Sequence, residues 1–311
     1  MTRWQVRDIP DLTGRRAVVT GANSGVGAAT ALQLARAGCG VVMAARDWAR
    51  GDAAVRRVRM HVPGADVELA LLDLADLSSV RAFVDAQDGR PLDLLVNNAG
   101  VMALPRQLTV DGFELQFATN HLGHYALTGL LLPALLRRPR PRVVTVSSIV
   151  HWLGSIDFDN LMGEHGYQPW TAYAQSKLAN LLFMRELHHR ATGAGVGLVS
   201  AAAHPGLSAT PLYQRSPGAR RSLFALKSLG RPATLVLGQS AAKGALPQLI
   251  AATAPGVGGG EYFGPGGPAE FRGRPTRVRM SKNAQDEVAA ERLWRVSEEL
   301  TGVSYPFPTA V

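Results

Sequence analysis

The run Arg16-Ala17-Val18-Val19-Thr20-Gly21-Ala22-Asn23-Ser24-Gly25-Val26-Gly27 decides the fold. Its first five residues are mostly apolar, with β-branched members, and read as a strand. A glycine-rich turn follows at once. Ala28 to Ala37, rich in Ala and Leu, predicts a helix that stops before Gly38. Strand, glycine turn and helix in that order make a phosphate site. The glycines let the backbone approach a pyrophosphate, and the free N–H groups of the helix start face the anion. The spacing is Gly-x-x-x-Gly-x-Gly, not the Gly-x-Gly-x-x-Gly of the general dinucleotide fingerprint. A glycine-rich turn alone is often only a turn; the flanking strand and helix favour the nucleotide reading.

Working outward, Gly40-Val41-Val42-Met43-Ala44-Ala45-Arg46 predicts the next strand. NAD-binding sheets place an acid near this strand end for the ribose 2′-hydroxyl. Here Ala45 and Arg46 stand there, with Asp47 beyond. A guanidinium suits a 2′-phosphate, so the pattern favours NADP(H); the plainer reading is a solvated loop arginine. Three more apolar runs end in small polar or glycine residues. Leu92–Val96 leads into Asn97-Asn98-Ala99-Gly100, Arg142–Val146 into Ser147-Ser148, and Leu198–Ala203 into His204-Pro205-Gly206. Alternating strand and helix patterns predict an α/β chain with one doubly wound parallel sheet of Rossmann type and helices on both faces. Ligands in such sheets lie beyond the carboxyl ends of the strands.

Tyr173 and Lys177 lie four residues apart in Trp170-Thr171-Ala172-Tyr173-Ala174-Gln175-Ser176-Lys177, so a helix puts them on one face. A cation beside a phenol favours the phenolate and lowers its pKa, which makes the pair an acid/base device. Most Tyr-x-x-x-Lys pairs are simply helix surface.

With these residues assembled, the chain resembles the short-chain dehydrogenase/reductases over roughly residues 12–265. The likeness rests on Thr20-Gly21-Ala22-Asn23-Ser24-Gly25-Val26-Gly27, Asp73-Leu74, Asn97-Asn98-Ala99-Gly100, Asn120, Ser148, Tyr173 with Lys177, and Pro205-Gly206. Thr119-Asn120-His121-Leu122-Gly123-His124-Tyr125, Tyr173 to Asn180 and the long gap between Ser148 and Tyr173 make it similar to the retinol-dehydrogenase-like branch.

The resemblance implies NADP(H) held by Gly21, Asn23, Ser24, Gly25, Val26, Gly27, Arg46, Asp73, Leu74, Asn98, Ala99, Gly100, Tyr173, Lys177, Pro205 and Gly206. Ser148 and Tyr173 would bind a carbonyl oxygen, Tyr173 would pass the proton, and Lys177 would tune Tyr173 and hold the nicotinamide ribose. Asn120 would anchor a relaying water. The family pattern places the catalytic hydroxyl at Ser148 and leaves Ser147 at the strand end near the nicotinamide. A cofactor half of about 12–150, a catalytic and substrate half of about 151–265 and an extension of about 266–311 would form a single domain. The competing expectation is a non-catalytic nucleotide-binding regulatory or interaction protein on the same fold.

Composition sets bounds. The chain has 311 residues, of which 46% are hydrophobic and 18% charged, as in a well-cored globular protein. One cysteine, Cys39, excludes an internal disulfide and a cysteine metal framework; it is expected to pack near the cofactor region. His121 with His124, and His188-His189, have no neighbouring acid or thiol to complete a metal set, so no metal is expected. No signal peptide and no apolar run of about 20 residues is visible. A cytoplasmic protein, or one peripheral to a membrane, is therefore expected.

The net charge is +9, and residues 191–260 hold no acid but contain Arg215, Arg220, Arg221, Lys227, Arg231 and Lys243. Arg137, Arg138, Arg140 and Arg142 form a second cluster. The basic stretch overlaps the lid expected after Pro205-Gly206, with Leu212, Tyr213, Leu223, Phe224, Leu226 and Leu229 as its apolar members. His151, Trp152, Leu153 and Ile156 add apolar or aromatic surface from the insert. A small lipophilic carbonyl or alcohol is the expected substrate, with an anionic membrane or a carrier protein as candidate partner of the basic lid. No recognition-helix pattern or aromatic ladder supports nucleic acid. A homodimer or homotetramer remains an open expectation.

Overall fold

A computed structural model of the chain describes residues 4–207 and 239–308. The strands are β1 (Arg16–Thr20), β2 (Gly40–Ala45), β3 (Val67–Leu71), β4 (Leu94–Asn97), β5 (Arg142–Val146), β6 (Val199–Ala203), β7 (Tyr262–Pro265) and β8 (Pro275–Arg277). They form one sheet in the order β3-β2-β1-β4-β5-β6-β7-β8. All neighbours are parallel except β7 and β8. The order reverses between β1 and β4, and the crevice above that switch point is where such sheets take their ligands.

The apolar runs are strands because both faces are covered. Successive side chains point to opposite faces. Ala17 and Val19 of β1, with Val41 and Met43 of β2, enter one core; Val18 and Val42 enter the other. The first core is closed by α1 (Gly25–Arg36), α2 (Trp48–His61) and α8 (Leu246–Thr253), the last following the short α7 (Ala241–Gly244). On the other face lie α3 (Leu77–Asp85), α5 (Gly123–Leu136) and α6 (Pro169–Gly193). A terminal helix, α9 (Glu287–Thr301), packs against α6, with Trp294 stacked on Phe183 at 5.9 Å.

Two placements differ from the sequence expectation. The first helix begins at Gly25 rather than Ala28, so Gly25 and Gly27 sit in its first turn. That turn rests directly on the end of β1: a Cβ on Gly27 would lie 2.5 Å from both the Gly21 carbonyl oxygen and Asn98 Nδ2. Cys39 is not near the cofactor loop. It precedes β2, at the amino edge of the sheet, with its Sγ 3.4 Å from the Arg15 carbonyl. A strand separates its two ends by about 3.3 Å per residue, so the turn before β2 is remote from the carboxyl edge.

The cluster of Arg137, Arg138, Arg140 and Arg142 lies at the same amino edge. Its arginines reach carbonyls: Arg137 to Gly89 at 2.9 Å, Arg140 to Val257 at 3.2 Å and Arg142 to Ala251 at 3.1 Å. Arg138 pairs with Asp93 at 3.2 Å. They therefore serve as a structural edge, satisfying backbone groups that the loops leave open. Among the described residues, no helix is long and apolar enough to cross a membrane.

Candidate active site

The carboxyl ends of β1, β4, β5 and β6 converge on one crevice. Thr20, the last residue of β1, organises its floor. Its hydroxyl oxygen accepts the N–H groups of Asn98 and Ala99, both at 2.9 Å, and Asn98 Nδ2 donates to the Thr20 carbonyl at 2.8 Å. Gly21 and Gly25 take left-handed φ values of +65° and +56°, which a residue with a Cβ resists. A Cβ on Gly21 would lie 2.9 Å from the Ala99 Cα. The Ser24 side chain makes no capping hydrogen bond to α1, so the first N–H groups of that helix remain available to an anion. Asn23 is half-buried and Val26 is buried beside them. This bare, donor-rich cradle fits a pyrophosphate.

Arg46 is exposed just past β2 and has no ion-pair partner among the described residues. Asp73, beyond β3, accepts the Ala75 N–H with one carboxylate oxygen at 3.0 Å, leaving the other open. Leu74 is buried against Gly123, where an added Cβ would overlap its carbonyl. These positions follow β2 and β3, on one side of the crevice.

Asn120 comes from a π turn, Ala118–Leu122, between the single turn α4 (Leu115–Phe117) and α5. The Gly123 N–H donates to the Ala118 carbonyl, five residues back. Such insertions in a helix recur at functional sites because they redirect one side chain. The redirected amide is fully engaged. Its Oδ1 accepts the Val101 N–H at 2.8 Å, and its Nδ2 donates to the Val101 carbonyl at 2.9 Å and to Ser176 Oγ at 2.8 Å.

Tyr173 and Lys177 lie on α6, one turn apart, with Lys177 Nζ 5.8 Å from the centre of the phenol ring. Pro169 at the helix start fixes φ where no N–H is needed. Lys177 is buried, and Nζ donates to the Val146 carbonyl at 3.2 Å. Burial pushes its pKa down from 10.5 to about 8. A Cβ on Gly100 would lie 3.3 Å from this ammonium and 2.9 Å from Asn120 Oδ1, so the Asn98-Ala99-Gly100 corner touches both.

The structure separates the two serines. Ser147 is buried, and its hydroxyl donates to the Lys177 carbonyl at 2.7 Å. Ser148 is half-buried, and its oxygen accepts the Val150 N–H at 3.3 Å. Pro205 and Gly206 lie beyond β6, completing the rim.

Asn120, Tyr173 and Lys177 are thus gathered beyond β4 and β5, where Ser148 follows β5, on the same edge as the start of α1. The family model for short chain dehydrogenases matches residues 15–220. The chain belongs to the short-chain dehydrogenase family. It is 39% identical over 300 residues to human (Homo sapiens) retinol dehydrogenase 13, covering 95% of this chain and 87% of that protein. It is 42% identical over 303 residues to the polyprenol dehydrogenase of Mus musculus, covering 94% and 86%. Among solved structures it is similar to an uncharacterized protein from Mycobacterium paratuberculosis, with TM-score 0.81 and 44% identity over 98% of this chain and all of that one. A second, described as an NAD(P) dependent gluconate 5-dehydrogenase from Beutenbergia cavernae with bound NADP at low occupancy, has TM-score 0.60 and 27% identity over 78% and 91%.

For this short-chain dehydrogenase, sequence reading missed several supports. His124, weighed as a metal ligand and otherwise counted only in the family likeness, is a buried link. Its Nδ1 lies 3.0 Å from the Asn120 carbonyl and its Nε2 2.9 Å from Thr20 Oγ1, joining the π turn to the cradle. Burial pushes its pKa down to about 4, so it is neutral in the physiological range. His151, expected in the substrate wall, is buried beneath Ser148. Its Nδ1 contacts the Ser148 carbonyl at 2.8 Å and its Nε2 accepts the Ser281 N–H at 3.2 Å. Ile156 likewise packs into a core. Trp152 and Leu153 remain 49% and 81% exposed. The helical spacing around His124 was readable; its partners were not. Leu212, Tyr213, Arg215, Arg220, Arg221, Leu223, Phe224, Leu226, Lys227, Leu229 and Arg231 lie outside the described residues.

Proposed function

We propose that this short-chain dehydrogenase is an NADP(H)-dependent enzyme interconverting a lipophilic carbonyl compound and its alcohol. The observation that carries the reading is the convergence of Asn120, Ser148, Tyr173 and Lys177 at one strand-end crevice beside an uncapped helix start. When bound, the nicotinamide supplies or accepts the hydride. The chain's own residues do the rest. Ser148 Oγ and Tyr173 Oη hold the substrate oxygen, stabilising the charge that develops on it. Tyr173 Oη gives that oxygen its proton during reduction and takes it back during oxidation. The Lys177 ammonium favours the phenolate this transfer leaves. Asn120 fixes the corner at Val101 against which Lys177 sits.

Arg46 supports the phosphorylated cofactor, being an exposed cation just past β2 with no ion-pair partner among the described residues. Exposed Trp152 and Leu153, in the turn after Ser148, support an apolar substrate. The names of the relatives, retinol and polyprenol dehydrogenases, point to the same class.

The test is a fluorescence titration of NADPH and NADH, paired with turnover of decanal followed through the reduced nicotinamide. Wild type should prefer NADPH, and Arg46→Ala should weaken NADPH about ten- to a hundredfold, the value of a charge-assisted contact, while leaving NADH unchanged. Equal wild-type affinities would refute the cofactor assignment. Absence of decanal reduction, with shorter polar aldehydes turned over, would refute the substrate class.

A further inference from the structure

The loop after β7 folds back onto the end of β6. Within it Ala269 and Glu270 take φ values of +49° and +55°, left-handed conformations that a residue with a Cβ adopts only when its surroundings impose them. What this backbone achieves is visible in the side chain. Glu270 Oε2 lies 2.9 Å from His204 Nε2, and the His204 side chain is completely buried. The other ring nitrogen, Nδ1, accepts the Gly206 N–H at 3.3 Å. With Nδ1 accepting, Nε2 carries the proton and donates it to Glu270. The same loop bonds the chain once more, where the Leu207 N–H donates to the Phe271 carbonyl at 2.9 Å. The fit leaves no slack: a Cβ on Gly206 would lie 2.5 Å from the Phe271 carbonyl oxygen, and one on Gly264 would overlap the His204 ring.

We propose that Glu270 is a positioning residue. Acting through His204, it sets the Pro205–Gly206 turn at the rim of the crevice, and the left-handed Ala269–Glu270 backbone aims its carboxylate. The proposal rests on the crevice being the cofactor and substrate site argued above. The turn is the rim element between β6 and the reacting end of the crevice, so a displacement there misaligns bound groups. Misplacement by about 1 Å, caused away from the chemistry, can slow an enzyme a hundredfold. A loop that merely closes the sheet edge would need neither a carboxylate nor strain at this position.

The experiment compares wild type, Glu270→Gln and Glu270→Gly. Kinetics of NADPH-dependent decanal reduction, melting temperature and amide hydrogen exchange at Gly206 and Leu207 are recorded for each. Glycine accepts φ +55° without cost, so Glu270→Gly should keep a melting temperature near wild type. Its kcat should nevertheless fall about ten- to a hundredfold with little change in KM, and its Gly206 and Leu207 amides should exchange faster. In Glu270→Gln an amide oxygen still accepts the His204 proton, so kcat and exchange should stay within about threefold of wild type. Wild-type kcat and exchange in Glu270→Gly would overturn the proposal. So would a Gln variant as impaired as the Gly variant, because the hydrogen bond would then not be what matters. The exchange readout does not need turnover. If wild type fails to reduce decanal, faster exchange in the Gly variant alone still supports the clamp, and equal exchange in all three overturns it.

Discussion

The two ends of the same strands treat charge in opposite ways. At the amino edge the acids are paired, and Arg137, Arg140 and Arg142 reach backbone carbonyls. Asp93, with its side chain 6% exposed, takes Arg15 at 2.9 Å, Arg138 at 3.2 Å and the Arg16 N–H at 2.9 Å. Glu68 takes Arg16 and Arg90, both at 3.3 Å. At the carboxyl edge charges are left over. Among the described residues, buried Lys177 has no acid but only the Val146 carbonyl and the Tyr173 ring, Arg46 has no ion-pair partner, and one Asp73 oxygen accepts the Ala75 N–H. Of the four left-handed non-glycine residues among those described, Ala103, Ala269 and Glu270 follow strand ends on that side, and Asp88 precedes β4 at the other. A sheet stabilised at one end can carry an unsatisfied arrangement at the other, and the unsatisfied groups are those a ligand would complete.

Lys177→Met probes this contrast with the largest effect. Turnover should fall at least a hundredfold, because the phenolate loses its cation. The apo protein should become more stable. Folded Lys177 titrates near 8 and the unfolded group near 10.5, so the charged form carries a penalty in the folded state that is full below pH 8. Raising the pH from 8 toward 10.5 removes it, since only the unfolded chain then still holds the proton. The gain from Met should therefore be about 2–3 kcal/mol at pH 7 and shrink above pH 8 in denaturant melts. A destabilised Met variant would break the comparison.

Asp93→Ala is the mirror image. It should lose about 2 kcal/mol of stability, since one buried acid accepts two hydrogen bonds and faces a second guanidinium, while kcat stays within twofold of wild type. A large fall in kcat with little loss of stability would show that the amino edge is not merely structural.

The smallest effect concerns Cys39. Burial first, and Asp93 second, push its thiol up to about 12. It should not react with a thiol reagent at pH 8 until the chain unfolds, and NADPH should not alter that protection. Protection that appears only with NADPH would return Cys39 to the cofactor side.

The strands were legible because a two-sided parallel sheet needs uninterrupted apolar runs, and Ala17 to Val19 or Val143 to Val146 can serve little else. Tyr173 and Lys177 were legible because helical spacing alone unites them. The misplacement of Cys39 came from reading closeness to Gly38 and Gly40 as closeness to the cofactor, although a strand sends its two ends to opposite edges. The π turn was not legible, since one extra residue in a helix leaves composition and periodicity nearly unchanged. Nor was the His204–Glu270 contact, which spans 66 residues and depends on two alanine- and glutamate-bearing left-handed positions that no local rule favours. The roles of Ser147 and Ser148 were assigned by family resemblance; the Lys177 carbonyl, which takes the Ser147 hydroxyl, supplies the physical reason.

The central claim is that the leftover charge at the carboxyl edge serves Tyr173 as proton donor and acceptor. Tyr173→Phe removes one oxygen and keeps the ring. NADPH affinity by fluorescence titration should stay within about threefold of wild type, while decanal turnover should fall about a hundred- to ten-thousandfold, the usual worth of a positioned general acid. A Phe variant that turns decanal over as fast as wild type would contradict the account.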